Sequence, residues 1–130
     1  MKRDMDLVRK ILQGVESAGD AVHLDDLEKM NGISNYTDRE VWYHVQLLDY
    51  AGYLDCLLTQ SDDGRLRRGI VYGLTWDGQD FLDALRDDFV WEKTKRAVRE
   101  SVGSTTFEVV KCVAVEASKR MALGALAGMF

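Results

Sequence analysis

Residues 37–75 read TDREVWYHVQLLDYAGYLDCLLTQSDDGRLRRGIVYGLT, and this stretch indicates how the chain folds. Thr37 and Glu40 have the spacing of a capping box, in which each side chain satisfies a free backbone N–H group at the start of a helix. Gly52 ends the helix, because glycine readily takes the left-handed conformation that closes one. The sequence therefore predicts a helix that runs to Ala51.

Two strand-like runs follow this helix. Residues 54–60 (LDCLLTQ) and 69–75 (GIVYGLT) are short and rich in Leu, Ile, Val, Thr and Tyr. The segment between them contains the turn signal Asp62-Asp63-Gly64. The two runs predict a β-hairpin with a loose tip.

The preceding residues predict two helices joined by a short strand. Apolar side chains recur three and four residues apart over residues 5–15, after a candidate N-cap at Asp4. Gly19 ends that helix, the apolar segment 21–24 follows, and a small helix covers residues 25–30. Helix, short strand, helix, helix and hairpin is the element order of a winged helix, whose third helix is the recognition element and whose hairpin is the wing.

Two helices are expected after the hairpin. Thr75 caps the first, which begins near Trp76 and bends or wraps beyond Asp88, where its apolar stripe shifts. Gly103 breaks this helix, and a second capping box over residues 105–108 starts the last one. The buried positions expected on the first helix are Phe81, Leu82, Leu85 and Phe89, and those on the last are Phe107, Val110, Ala114, Ala117 and Met121.

The expected fold class is therefore mainly α with a small β-hairpin (α+β). It comprises a winged helix-turn-helix core over residues 1–78 and two C-terminal helices over residues 79–130, within one compact domain. The extension either packs on the core or forms a dimer interface. The uncharged end, MALGALAGMF, favours a homodimer over a membrane contact, because a membrane span needs about 20 apolar residues.

Charge restricts the functions that the chain can have. Its 130 residues include 17 Lys and Arg against 22 Asp and Glu, a formal charge of -5. Residues 1–78 hold 9 basic and 14 acidic side chains, whereas residues 79–130 hold 8 of each. DNA-binding domains are normally basic, because neutralised phosphates release counterions. Any DNA contact is therefore expected from a local patch.

Two phrases resemble the MarR and ArsR-type winged-helix regulators. HVQLLDYAGYL (44–54) is similar to the end of their recognition helix and the first wing strand, and YGLTWDGQDFL (72–82) to their second wing strand and next helix. The opening MKRDMDLVRKIL, LTWDGQDFLDALRDDFVWEKTK (74–95) and STTFEVVK (104–111) resemble an uncharacterised bacterial and phage family of winged-helix proteins of unknown function. That resemblance implies the fold and a phage or prophage association, but no activity and no functional residue.

The outward face of the third helix is the first candidate site. Successive steps of 100° place Val41, Val45 and Leu48 toward the core, with His44 beside them as a hydrogen-bonded structural residue. The opposite face carries Arg39 and Gln46, which suit DNA bases and phosphates. It also carries aromatic residues typical of a protein interface, namely Trp42, Tyr43 and Tyr50.

The hairpin tip is the second candidate site. Arg65, Arg67 and Arg68 form a local basic cluster where a wing would touch DNA phosphates or the minor groove, and Lys2 and Arg3 could add a phosphate contact. The alternative is that these charges serve solubility. We therefore expect a non-enzymatic, regulatory, double-stranded DNA-binding protein or, alternatively, a module that binds a host protein.

No catalytic, metal or cofactor site is expected. Asp80, Asp83 and Asp87 share a helical face, but a solvated acidic row explains them better than a cation site. Cys56 and Cys112 lack a metal-type spacing, and no nucleophile or phosphate-loop motif is present. With no signal peptide at the start, the expected location is the cytoplasm.

Overall fold

The structure of the chain, a computed structural model, describes residues 1–101 and 107–128, and side-chain surroundings within residues 1–97 and 110–124. This part of the chain forms six helices and a three-stranded antiparallel sheet, which confirms the mixed α and β class. The helices are α1 (Met5–Ala18), α2 (Leu24–Glu28), α3 (Asp38–Tyr50), α4 (Trp76–Leu85), α5 (Asp88–Ser101) and α6 (Phe107–Gly128). The strands are β1 (Val22–His23), β2 (Leu54–Gln60) and β3 (Arg67–Leu74).

The first helix follows the sequence pattern. One carboxylate oxygen of Asp4 accepts the backbone N–H groups of Asp6 and Leu7 at 2.9 and 3.3 Å, which confirms the predicted N-cap. Gly19 ends the helix with a φ of 68°. The apolar positions spaced by three and four are all buried: Met5, Val8, Ile11, Leu12 and Val15.

The sheet has the order β1-β3-β2. The short β1 pairs with β3 at Val22 and Val71, so the predicted hairpin acquires a third strand. The inner face buries Leu54 and Val71, against which the helices pack: α1 and α2 lie on β3, and α3 lies on β2. These contacts between the three helices and the sheet form the core that positions α3 and the hairpin.

The helix expected to start at Trp76 is two helices, so the prediction of two C-terminal helices is wrong: the described residues after the hairpin form three. The side chain of Asp87 accepts the backbone N–H groups of Phe89 and Val90 at 2.8 and 3.1 Å, and this cap starts α5. Phe89, expected to be buried, is exposed. The capping box at residues 105–108 lies outside the side chains that the structure describes, and Gly103 lies outside the described residues.

Contacts within the chain separate two compact units, Met1–Asp80 and Phe81–Phe130. The predicted role of residues 79–130, either packed on the core or at a dimer interface, stays a prediction. Within the described residues, no helix is both long enough and apolar enough to cross a membrane.

Candidate functional site

Hydrogen bonds hold the start of α3 against the start of α1. The buried His44 ring accepts the backbone N–H of Asp4 at Nε2 (2.8 Å), and its Nδ1 lies 2.7 Å from the carbonyl oxygen of Glu40. Because a carbonyl can only accept, Nδ1 donates, and the ring is the neutral Nδ1–H tautomer. The predicted structural role of His44 is confirmed.

Three further hydrogen bonds lie near this junction. Glu40 accepts the backbone N–H of Thr37 at 3.1 Å and Thr37 accepts that of Glu40 at 3.2 Å, so the predicted capping box is present. Tyr36 donates its hydroxyl to Asp4 at 3.2 Å. Burial and the Asp4 carboxylate raise the pKa of Tyr36 to about 12, so the tyrosine remains a donor at neutral pH. The orientation of α3 relative to α1 is thus set by the part-buried hydrogen bonds that His44 and Tyr36 make with Asp4.

One stripe of α3 faces solvent at a helical spacing of four, three and four residues. Arg39 and Tyr50 are exposed, the latter with 77% of its surface accessible, and Tyr43 and Gln46 are half-buried. The Gln46 amide donates to the Tyr50 hydroxyl at 3.4 Å. The edge of the Tyr43 ring meets His44, with centroids 5.3 Å apart. The stripe therefore offers one cation, one amide and two phenols.

The structure corrects the position of Trp42. Trp42 is only 7% exposed, whereas the sequence predicts it on the outward face. The position on the helix does not account for this, because steps of 100° place Trp42 closer to the stripe than to the core face; its burial depends on the side chains that cover it. The exposed face of α3 is consequently less aromatic than expected.

The hairpin tip is an ordered turn in place of the loose loop that the sequence suggested. The backbone N–H of Ser61 donates to the carbonyl of Leu66 at 2.8 Å, and Gly64 supplies a left-handed residue with a φ of 72°. Asp63 accepts the hydroxyl of Ser61 and the backbone N–H of Arg65. These hydrogen bonds hold the pKa of Asp63 below its usual range. The Asp63 carboxylate therefore stabilises the turn through these hydrogen bonds.

The three arginines of the hairpin do not form one cluster at the tip. Only Arg65 lies in the turn, because β3 begins at Arg67, two residues earlier than predicted. Arg67 and Arg68 are opposite Gln60 and Thr59 on β2, and adjacent strand residues point to opposite sheet faces. Arg65 and Arg68 are exposed, whereas Arg67 is partly buried and its Nε atom is enclosed without a hydrogen-bond partner.

Sequence reasoning missed the most exposed tryptophan, Trp76, which has 84% of its surface accessible. It is the first residue of α4, and Asp80 and Asp83 follow it on the same face at positions i+4 and i+7. The buried positions Phe81, Leu82 and Leu85 lie on the other side of the helix. That spacing was the available signal that Trp76 faces away from the core.

The acidic residues have mainly structural partners. Asp83 pairs with Arg86 at 2.7 Å, and Asp87 caps α5. Glu28, at the end of α2, is different: burial, the charges of Asp38 and Asp25, and a hydrogen bond with Asp38 raise its pKa to about 7. No group of three or more His, Cys, Asp or Glu side chains is arranged to hold a metal ion within the described part of the chain.

Comparison with known proteins identifies the family. Residues 2–105 match the model of a family described as hypothetical protein (DUF2513). The chain is also 32% identical over 116 residues to a protein of Haemophilus influenzae described as an uncharacterized protein, an alignment that covers 88% of this chain and 92% of that protein. The expectation of an uncharacterised family is confirmed, and the chain belongs to the DUF2513 family.

Proposed function

We propose that this chain is a non-enzymatic winged-helix protein that binds duplex DNA in the cytoplasm through α3 and the β2–β3 hairpin. The observation that carries the proposal is the sheet order β1-β3-β2 with α1 and α2 packed against β3 and α3 packed against β2, since this arrangement supports a wing beside a recognition helix. The phage or prophage association implied by the sequence resemblance belongs to the same proposal.

The charges of the hairpin support DNA as the partner. Arg65 and Arg68 are exposed on and next to a turn whose nearby carboxylate, Asp63, is engaged by hydrogen bonds. Arg39 and Gln46 on the α3 stripe add a phosphate ligand and a side chain able to read base edges. Because the chain has a formal charge of -5, the contact is confined to this small patch and depends strongly on salt.

Fluorescence anisotropy with a mixed-sequence duplex tests the proposal. With three exposed arginines on phosphates, the logarithm of affinity should fall linearly with the logarithm of salt concentration with a slope of about -2.7, so affinity drops about 40-fold between roughly 50 and 200 mM salt. The double variant Arg65→Glu and Arg68→Glu should abolish binding. The control Arg86→Glu reverses an exposed arginine outside the patch and should bind more strongly than the double variant. Absence of binding at low salt would refute the proposal.

Protein binding is the second candidate function, and one observation favours it. Tyr43 and Tyr50 lie on the same solvent-facing stripe of α3, and exposed aromatic residues are common at the centres of protein interfaces. The buried position of Trp42 removes the largest anchor that this alternative had from sequence. It predicts that a host protein is retained by the wild-type chain and lost with Tyr50→Ala, while Arg65→Glu leaves retention unchanged.

A further inference from the structure

An open groove of about 730 Å³ lies between α5 and α6. Its floor is made of small or apolar side chains that include Val90, Ala97, Val113 and Ala117. Burial of apolar surface is favourable in water, so an apolar occupant would stabilise this helix pair. The small floor residues leave room for one large side chain.

The charged side chains at the rim of the groove favour an occupant of the opposite charge. Among the residues that the structure describes, three cations line it, Lys93, Arg96 and Arg120, against one carboxylate, Glu116. The local excess is positive although the chain as a whole has a formal charge of -5. A large apolar side chain flanked by carboxylates is therefore the complementary ligand.

The exposed face of α4 carries a large apolar side chain flanked by carboxylates. Trp76 is 84% exposed, and the exposed carboxylates of Asp77 and Asp80 lie beside it on the first turns of the helix. Exposed tryptophan is uncommon on a monomer surface and is the residue most enriched among dominant interface contacts. Packing within a single copy of the chain does not explain a tryptophan at position 76.

The backbone that carries Trp76 is held rigidly. Thr75 donates its hydroxyl to the carbonyl of Gly52 at 2.5 Å and accepts the backbone N–H of Gly78 at 3.0 Å. Gly78 lies so close to the carbonyl of Tyr53 that a Cβ atom there would overlap it. A side chain presented from such an anchor loses little backbone entropy on binding.

We propose that Trp76 of one copy of this chain inserts into the groove between α5 and α6 of a second copy, with Asp77 and Asp80 facing the basic rim. Charge complementarity between these two surfaces of the same chain identifies a second copy as the occupant. Reciprocal insertion of Trp76 from both copies makes the dimer two-fold.

Sedimentation velocity of the full chain, from low micromolar to near millimolar concentration, tests the dimer. The wild-type chain should shift toward twice its mass of 14.7 kDa as concentration rises, and Trp76→Ala should weaken the dimer about tenfold or more, as loss of a buried aromatic anchor does. Tyr50→Ala is the matched control, since it also removes an exposed aromatic ring but should dimerise like the wild type. A chain that stays monomeric throughout would overturn the proposal.

Two further measurements assign the groove. Arg120→Glu, a reversal at the exposed rim, should weaken the dimer, and circular dichroism checks that the variant keeps its helix content. Cys112 also lines the groove and is exposed, so its alkylation should slow as wild-type concentration rises but not in Trp76→Ala. A dimer that survives Trp76→Ala but not Arg120→Glu would show another occupant and overturn the assignment. The experiments contain no DNA, so their failure leaves the DNA-binding proposal standing.

Discussion

Glu28→Gln should stabilise the protein at alkaline pH and have little effect in acid. Burial and the neighbouring carboxylates of Asp38 and Asp25 raise the pKa of Glu28 to about 7 from its ordinary value of 4.5. Between pH 4.5 and about 7, Glu28 is therefore protonated in the folded state but ionised in the unfolded state. The stability contributed by protonated Glu28 is fully present below pH 4.5 and is lost as pH rises through about 7. Glutamine stays neutral and can still donate a hydrogen bond to Asp38.

The size of the effect follows from the same pKa values. A difference between 4.5 and about 7 corresponds to about 3 kcal/mol at about 1.4 kcal/mol per pH unit, and solvent screening of a partly exposed carboxyl reduces this to about 1 kcal/mol. Urea unfolding at about pH 8 should show Glu28→Gln to be more stable than the wild type by that amount, and unfolding at about pH 4.5 should show little difference.

Asp26→Asn is the matched control for this experiment, because it removes one negative charge from the exposed side of the same short helix. If Glu28→Gln changed the free energy of unfolding equally at both pH values, or destabilised the protein at alkaline pH, the account of the Glu28 environment would be wrong. If Glu28→Gln and Asp26→Asn stabilised the protein equally at alkaline pH, the loss of one negative charge would explain the effect without the raised pKa of Glu28.

Three other predictions concern stability and thiol chemistry. Gly78→Ala should destabilise the protein by about 3 kcal/mol in thermal unfolding, because its Cβ would overlap a backbone carbonyl, whereas Gly73→Ala meets open space and should cost less than about 1 kcal/mol. Asp4→Ala removes the α1 cap and a hydrogen-bond acceptor and should cost about 2 kcal/mol, against less than about 1 kcal/mol for Asp4→Asn, which keeps a capping oxygen. Dilute native protein at about pH 8 should be alkylated at exposed Cys112 before Cys56, whose pKa burial and nearby aspartates raise to about 12, as peptide mass mapping would show.

Local patterns predicted most of the elements correctly. The caps at Asp4 and Thr37, the end of α1 at Gly19 and the two hairpin strands depend on residues close together in sequence, so composition and spacing suffice to find them. The break between α4 and α5 was missed because Asp87 was interpreted as part of an acidic helical face, whereas its side chain caps the next helix. An aspartate on a helix face and an aspartate that caps a helix fit the same sequence pattern. Only the backbone geometry distinguishes the two roles.

The candidate sites were found only in part. The helical wheel correctly placed Arg39 and Tyr50 on the outward face, but it also placed Trp42 there, because a wheel gives the angle of a side chain and not the neighbours that cover it. The arginines of the hairpin were found as a group, but their separation onto different surfaces depends on where β3 begins. Trp76 was treated only as the start of a helix.

By itself, the sequence determined most of the secondary structure, the mixed α and β class and the confinement of surplus acid to the N-terminal residues, because each follows from local spacing or from counting. Only the tertiary structure decided that β1 joins β3, that Trp42 is covered, that Trp76 is exposed and that α5 and α6 leave a groove with a basic rim. These features arise from contacts between residues far apart in the chain, and no local pattern encodes which surfaces remain in water.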